Sequence, residues 1–147
     1  MLSGPPTQSG RPGRALAGAY AVFAAAAAGR SAVELALHAS RAPLAYGLSA
    51  AAALVYVGGL IAMIGADRHR RARRWASWLC RIELAGVLIV GAASLRFPAA
   101  LGSSTVWSHF GSGYGFVPAV LPIFALAWLR TTDRAKLTTA GLRQAGP

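Results

Sequence analysis

Acidic residues are scarce in this 147-residue chain: it has only Glu34, Asp67, Glu83 and Asp133, against 15 lysines and arginines. Charged residues make up 13% of the sequence and hydrophobic residues 55%. A water-soluble domain normally has about a quarter of its residues charged. The shortage of charge, together with the bunching of apolar residues into long blocks, argues against a soluble domain and favours membrane insertion.

Cysteine is equally scarce, because Cys80 stands alone. One cysteine excludes an internal disulfide, a Cys-x-x-Cys redox pair and a thiolate metal cluster. The histidines, His38, His69 and His109, lack metal-ligand spacing, and nothing else supports a haem held between His38 and His109. The sequence therefore predicts no metal and no cofactor.

Catalytic groupings are missing as well. Serines near His109 have no acidic residue beside them and no nucleophile elbow, so the sequence predicts no enzyme. The net charge of +11 would suggest nucleic acid in a soluble protein. Here the basic residues lie mostly between and after the apolar blocks, where they set membrane orientation, so no nucleic-acid partner is expected.

Four apolar blocks organise the chain, each of about 20 to 25 residues and so long enough for one spanning helix. They predict an all-α bundle of four transmembrane helices within residues 15–130. The residues before it, 1–14, are rich in Pro, Gly and Ser and predict a disordered cytoplasmic tail, and residues 131–147 predict a basic cytoplasmic tail. The four helices are expected at about 15–39, 43–66, 75–97 and 110–129.

The distribution of basic residues predicts that both termini face the cytoplasm. With four spans, one side of the membrane holds Arg41 and Arg96, and the other holds eleven lysines and arginines. An alternative treats residues 1–28 as a cleaved signal peptide, because the run AAAAAG offers small residues at a cleavage site. The topology of the remaining chain is the same in either case.

Small residues recur at four-residue spacing in the first two blocks. The first block has Ala17, Ala21, Ala25 and Gly29; the second has Gly58, Ala62 and Ala66. Such ridges allow close approach of helix backbones within a membrane. A high background of alanine and glycine accounts for part of the pattern.

Ionisable residues inside the apolar blocks need partners or water. Arg30 and Glu34 are four residues apart and can pair on one helical face. Glu83 lies about 12 Å along its helix from Trp75, beyond easy reach of the surface, so we expect it to face the bundle interior. It is either a proton or cation site or a buried hydrogen-bonding group that fixes helix packing.

The segment VWSHFGSGYGFVP, residues 106–118, contains the Gly-Tyr-Gly of potassium-channel filters. It lacks the Thr-Val that precedes this tripeptide in such filters, and the fourth span needs these residues to reach its full length. No strand precedes the glycines, which argues against a dinucleotide loop. We therefore expect the segment to open the fourth helix, with Pro118 leaving the carbonyl of Tyr114 without its helical partner.

Polar groups then gather in the outer half of the bundle. Arg96, His109 and Tyr114 are expected there with the Arg30–Glu34 pair. They form either a small outward-facing pocket or an internally satisfied network beside a kinked helix. At the cytoplasmic side, five arginines in a short linker are expected either to contact anionic lipid headgroups or simply to anchor the topology. These are Arg68, Arg70, Arg71, Arg73 and Arg74.

Two stretches carry a resemblance to known proteins: RIELAGVLIVGAASL, residues 81–95, and TVWSHFGSGYGFVPAVLPIFALAWLR, residues 105–130. They resemble small four-span integral membrane proteins of high-GC actinobacteria, a group without an assigned activity. The resemblance covers most of the chain except its two tails. It implies the four-span topology and a bacterial plasma membrane, and it implies no chemistry.

The function expected from these observations is association within a membrane. The chain would be a non-enzymatic accessory or scaffold subunit that contacts a membrane protein partner or its own copies, and anionic lipid. The alternative is a small proton- or cation-coupled transporter that uses Glu83, with Arg30 and Glu34 as an outer gate.

Overall fold

The chain is mostly helical in the residues that the computed structural model describes, which are 10–38, 43–66, 68–98 and 105–144. Side chains are described for residues 12–33, 36, 46–66, 68–98 and 105–133. Within these residues there is no strand, which confirms the predicted all-α class. The elements are α1 (Gly10–His38), α2 (Pro43–Gly65), α3 (Arg70–Arg96), a short 3-10 helix (Ser108–Tyr114) and α4 (Val117–Gln144).

Three of the described helices are long and apolar enough to cross a membrane. Their candidate spans are Pro12–Val33, Tyr46–Gly65 and Arg70–Arg96. The 3-10 helix and the first part of α4 meet the same criterion together, as one span bent by 95°. By length and hydropathy the structure therefore supports a polytopic membrane protein with three to four spans.

Helix boundaries extend into segments that the sequence assigned to tails and linkers. α1 begins at Gly10, inside the predicted tail 1–14, and α3 begins at Arg70, so most of the basic linker forms its first turns. α4 continues to Gln144, well past residue 129. The apolar pattern marks only the part of a helix that meets lipid, whereas arginine itself has a high helix propensity. The rest of the predicted tails, residues 1–9 and 145–147, lies outside the described residues.

Close packing of α2 depends on its small residues. Gly58 lies against Leu79 and Gly65 against Ala72 of α3, while Ala62 and Ala66 are buried. A Cβ on Gly59 would stand 2.8 Å from the ring of Tyr20 in α1. The predicted ridge of α2 therefore lies inside the bundle, with Gly58 against α3, while Gly59, which was not part of that ridge, brings α1 close.

The two ends of the bundle differ in character. We call the end that contains Arg68, Arg70 and Arg130 the arginine end, and the end that contains Arg96 and the 3-10 helix the loop end. At the loop end residues 105–116, here called the inserted segment, fold against α3. This geometry places a loop where the sequence predicted the start of a continuous fourth helix.

Candidate functional site

Glu83 lies at the midpoint of α3, thirteen residues after Arg70 and thirteen before Arg96. At 1.5 Å per residue it is about 20 Å from either end of the helix. Its side chain is fully buried, with 0% exposure. The interior position expected from the sequence is the one observed.

A tyrosine hydroxyl satisfies one oxygen of this carboxyl. Tyr20 of α1 donates to Glu83 Oε2 at 2.7 Å, and the same hydroxyl lies 3.3 Å from Cys80 Sγ. Tyr56 of α2 lies close by, with its ring centroid 6.1 Å from that of Tyr20 and the two rings tilted by 53°. Residues of α1, α2 and α3 therefore meet at one buried polar cluster in the middle of the bundle.

Three buried polar atoms near this cluster have no hydrogen-bond partner among the described residues: Glu83 Oε1, the Tyr56 hydroxyl and Trp107 Nε1. The Tyr56 hydroxyl nevertheless lies within reach of both Glu83 and the Trp107 indole, so the three groups face one another without a well-aligned hydrogen bond. The set combines an indole N–H donor, a carboxyl oxygen acceptor and a hydroxyl that can do both. A buried polar group with no hydrogen bond costs about 1 to 3 kcal/mol, and the closeness of these three groups to one another offsets part of that cost.

The inserted segment covers this cluster from the loop end. The Trp107 ring lies on Gly86, where an added Cβ would stand 2.8 Å from it, and Gly86 is only three residues from Glu83. The ring of Phe110 occupies the equivalent position on Gly91. The absence of a side chain at both glycines thus allows aromatic rings of the inserted segment to pack directly on α3.

Hydrogen bonds hold the inserted segment in place. The backbone N–H of His109 donates to Ser94 Oγ at 2.8 Å, and Ser94 in turn donates to the carbonyl of Gly91 at 2.7 Å. Within the segment, the backbone N–H of Thr105 donates to Ser108 Oγ. Because Ser94 is fully buried on α3, these bonds fix the segment against the inner face of that helix.

The backbone of the inserted segment is unusual. His109, Phe110 and Gly111 have φ values of 50°, 60° and 78°, and Phe116 has a φ of 61°. Residues other than glycine rarely adopt this left-handed region, and doing so costs of order 1 to 3 kcal/mol each. Surrounding contacts must supply that energy, which they do at Gly91 and Ser94.

The predicted helical opening at residues 110–116 is therefore wrong, and so is the role given to Pro118. Tyr114 ends the 3-10 helix, and α4 begins only at Val117. Pro118 is in the first turn of α4, where its missing N–H has no intrahelical partner to lose. Positive φ at Gly111 and Gly115 reverses the chain and prevents one continuous helix. Pro122 does lie inside α4, where it removes a helical hydrogen bond.

The other predicted polar residues are dispersed. Arg30 is partly exposed and lies about 15 Å along α1 from Tyr20, away from the Glu83 cluster. Arg96 is exposed, with its guanidinium 5.5 Å from the ring centroid of Phe97. Tyr114 is half-buried against Phe23, with ring centroids 6.1 Å apart. The side chain of Glu34 lies outside the described residues.

His109 joins the inserted segment through its backbone, and its side chain is half-buried. Tyr20, Tyr56 and Trp107 were not selected by the sequence analysis. Tyr20 and Tyr56 are polar aromatic residues deep in an apolar block, and Trp107 stands just before the fourth block. Ordinary membrane-interface tyrosines and tryptophans give the same signal. Only the packing of three helices separates the two cases.

Four of the five linker arginines are exposed as a lipid contact requires: Arg68, Arg70, Arg71 and Arg74. Arg73 differs, because it is 6% exposed and faces the bundle. Its Nη2 donates to the carbonyl of Leu129 at 2.6 Å and lies 2.9 Å from Asp133 Oδ1. The expected headgroup contact is therefore wrong for Arg73, which joins α3 to α4.

The outward faces of the helices differ in side-chain size. α2 exposes Leu54, Ile61 and Ile64, and α3 exposes Ile82, Leu88, Ile89 and Leu95, as lipid-facing helices do. α1 instead exposes Gly18, Val22, Ala25 and Gly29 along one face, on which only Val22 is bulky, and Gly18 and Gly29 have open space where a Cβ would be. Of the ridge predicted for α1, Ala25 and Gly29 lie on this face, whereas Ala17 and Ala21 are half-buried. Its candidate span is also the least buried, at 22%, against 39% for α2 and 33% for α3.

No protein-family model, curated protein or solved structure matches this chain. Among the described residues, no group of three or more His, Cys, Asp or Glu side chains converges as a metal site would require.

Proposed function

We propose that this chain is a non-enzymatic membrane protein that acts by association, as an accessory or scaffold subunit, through the small-residue face of α1. The observation that carries the proposal is the contrast between this face and the bulky outward faces of α2 and α3. Lipid tails solvate bulky aliphatic side chains as well as a helix does, whereas glycine and alanine allow another backbone to approach closely. The face Gly18, Val22, Ala25 and Gly29 suits a further helix, from a second copy or from another membrane protein.

We further propose that both termini face the cytoplasm, on the bias of basic residues, and that the membrane is a bacterial plasma membrane, on the sequence resemblance alone. Counting the 3-10 helix and α4 as one bent span, four spans put the arginine end on a single side. That side then carries the excess of basic residues typical of the cytoplasm. Arg68, Arg70, Arg71 and Arg74 are placed to contact anionic headgroups, at about 1 kcal/mol for each basic residue near the surface.

Site-specific photo-crosslinking from Ala25 in native membranes tests the association. A photoreactive residue at Ala25 should give a protein adduct, whereas one at Ile61, on the lipid-facing side of α2, should not. Gly29→Leu should abolish the adduct, because leucine keeps a neighbouring backbone at a distance. Gly47→Leu is the matched control, since Gly47 also has open space around it, and should leave the adduct intact.

The mass of the adduct identifies the partner: twice the chain mass means a second copy. If Ala25 and Ile61 give the same lipid-only products, association through α1 is wrong.

A second candidate function is a proton- or cation-coupled carrier. It is favoured by a carboxyl at the midpoint of a spanning helix and by the break in the fourth span, since carriers place their sites at broken helices near the membrane midplane. Purified protein in liposomes would be tested for flux driven by a pH gradient. Glu83→Gln should abolish that flux if the carrier function holds; loss of flux with the Ala25 adduct intact would favour the carrier over the scaffold.

A further inference from the structure

We propose that Glu83 is a proton-binding site that water reaches from the loop end, and that the inserted segment is the gate that closes this route. The inference goes beyond the association function, which depends on α1 and needs no opening of the bundle. It concerns exchange of a proton between Glu83 and the loop-end solution, whether or not transport across the membrane follows.

The first step is the position of Trp107. Its indole lies on Gly86, three residues from Glu83, and about 15 Å below the loop end of α3. Trp107 itself is almost fully buried, although it belongs to a loop. Withdrawal of this one side chain would open the space directly beside the Glu83 cluster.

The second step is the chemistry of the cluster. Glu83 Oε1, the Tyr56 hydroxyl and Trp107 Nε1 come from three different elements and have no hydrogen-bond partner among the described residues. Once Trp107 withdraws, water can take its place, donating to the carboxyl oxygen and accepting from the Tyr56 hydroxyl, so it is the small molecule that suits the opened cluster.

The third step concerns charge. The titratable groups against Glu83 are Tyr20 from α1, Tyr56 from α2 and Cys80 from α3, and none of them is a cation. Among the described side chains, no ion pair to Glu83 is present. Burying an unpaired carboxylate is far more costly than burying a carboxylic acid, so a proton is the ligand that this site favours.

The backbone of the inserted segment is strained in its closed position. His109 and Phe110 are held in the left-handed region, and among the described residues His109 donates a backbone hydrogen bond to Ser94 Oγ of α3. Backbone strain in the closed position lowers the free-energy cost of opening, whereas the burial of Val106 and Trp107 raises it. The contacts on Gly86 and Gly91 are the remaining support.

Gly91→Ala and Ser94→Ala should both open the gate, the first by adding volume and the second by removing hydrogen bonds. A Cβ on Gly91 would stand 2.6 Å from the Phe110 ring and 2.8 Å from its backbone nitrogen, so it must displace the segment. Ser94→Ala adds no volume; it removes the hydrogen bond from His109 and, with it, the bond that the Ser94 hydroxyl donates to the Gly91 carbonyl within α3. Gly47→Ala is the control, because it is the same substitution at a helical glycine with open space around it.

Access is measured with a cysteine at the buried position 87, one turn from Glu83 towards the loop end. The reporter is Val87→Cys in a Cys80→Ala background, treated with a charged methanethiosulfonate reagent from one side of sealed, oriented vesicles. We expect slow modification of the thiol at position 87 in the parent and modification at least about fivefold faster in both gate variants. For Ser94→Ala, this is the effect of losing one hydrogen bond on an opening equilibrium; Gly91→Ala should reach it by displacing the segment. Gly47→Ala should match the parent, and reagent at the arginine end should give no acceleration.

The proton is measured by infrared spectroscopy. The difference spectrum between wild type and Glu83→Gln at neutral pH should contain the carbonyl band of a protonated carboxyl group. Its shift on transfer to deuterium oxide should be slow in wild type and faster in Ser94→Ala.

Three results would overturn the proposal. They are unchanged modification rates in folded Gly91→Ala and Ser94→Ala variants, equal acceleration from the arginine end, and the absence of the protonated band. None of these results bears on crosslinking at Ala25, so failure of the gate and failure of the association function are distinguishable.

Discussion

Arg73→Met should destabilise the bundle, because Arg73 joins three helices at the arginine end. Its Nη2 donates to the Leu129 carbonyl at 2.6 Å and lies 2.9 Å from Asp133 Oδ1, while Nη1 lies 3.5 Å from the Ala66 carbonyl at the end of α2. Methionine keeps much of the aliphatic stem and removes every one of these polar contacts. The substitution therefore isolates the guanidinium.

The size of the loss can be worked out contact by contact. A hydrogen bond from a charged group to a buried carbonyl contributes about 1.5 to 3 kcal/mol. Asp133 is 61% exposed, so water screens the ion pair and its contribution is below about 1 kcal/mol. The contact with Ala66 is at the geometric limit of a hydrogen bond and adds little. The expected loss in free energy of unfolding is about 2 to 3 kcal/mol.

The assay is unfolding of the purified protein in mixed micelles by titration with a denaturing detergent, followed by tryptophan fluorescence. Arg74→Met is the matched control: it removes the same charge from the next residue, which is exposed, and should change stability by no more than about 0.5 kcal/mol. Asp133→Asn should cost less than Arg73→Met. Equal losses for Arg73→Met and Arg74→Met would refute the argument, and a loss for Asp133→Asn as large as that for Arg73→Met would show that the ion pair dominates.

Two further predictions concern the packing around Tyr20. Tyr20→Phe removes the hydrogen bond to Glu83 Oε2 and leaves that oxygen unsatisfied, so the same assay should show a loss of about 1 to 3 kcal/mol; no loss would mean that the bond is absent in the membrane. Gly59→Ala should also destabilise, by roughly 1 to 3 kcal/mol, because the new Cβ would stand 2.8 Å from the Tyr20 ring. Gly58→Ala meets only the flexible end of Leu79 at 3.2 Å and should be neutral or stabilising, and equal effects of the two glycine substitutions would contradict this account.

The helical class and the candidate spans follow from the sequence because they depend on local quantities. Runs of apolar residues of about 20 or more, with few charges, have no other common solution in a chain of this length. The depth of Glu83 is equally local, since it depends on counting residues along one helix. Its burial could be expected for the same reason, because a charge at that depth cannot face lipid cheaply.

The inserted segment could not be predicted, because its conformation depends on contacts distant in sequence. The glycines of residues 106–118 permit a helix start or a chain reversal equally well. Contacts with α3 favour the reversal: the rings of Trp107 and Phe110 pack on Gly86 and Gly91, and the His109 N–H donates to Ser94 Oγ. A prediction made from each apolar block alone contains no information about these contacts with α3.

Arg73 shows the same limit within one cluster of like residues. Five arginines in a short linker are indistinguishable by composition, and each can meet a headgroup or a partner. Helical periodicity from Arg70 turns one of them towards Leu129 and Asp133, while four stay exposed. Composition and residue order by themselves determined that this chain is helical and where its charges lie along each helix. The tertiary structure alone decided which polar groups meet, since hydrogen bonds and steric contacts between helices act over a few ångströms between residues far apart in the chain.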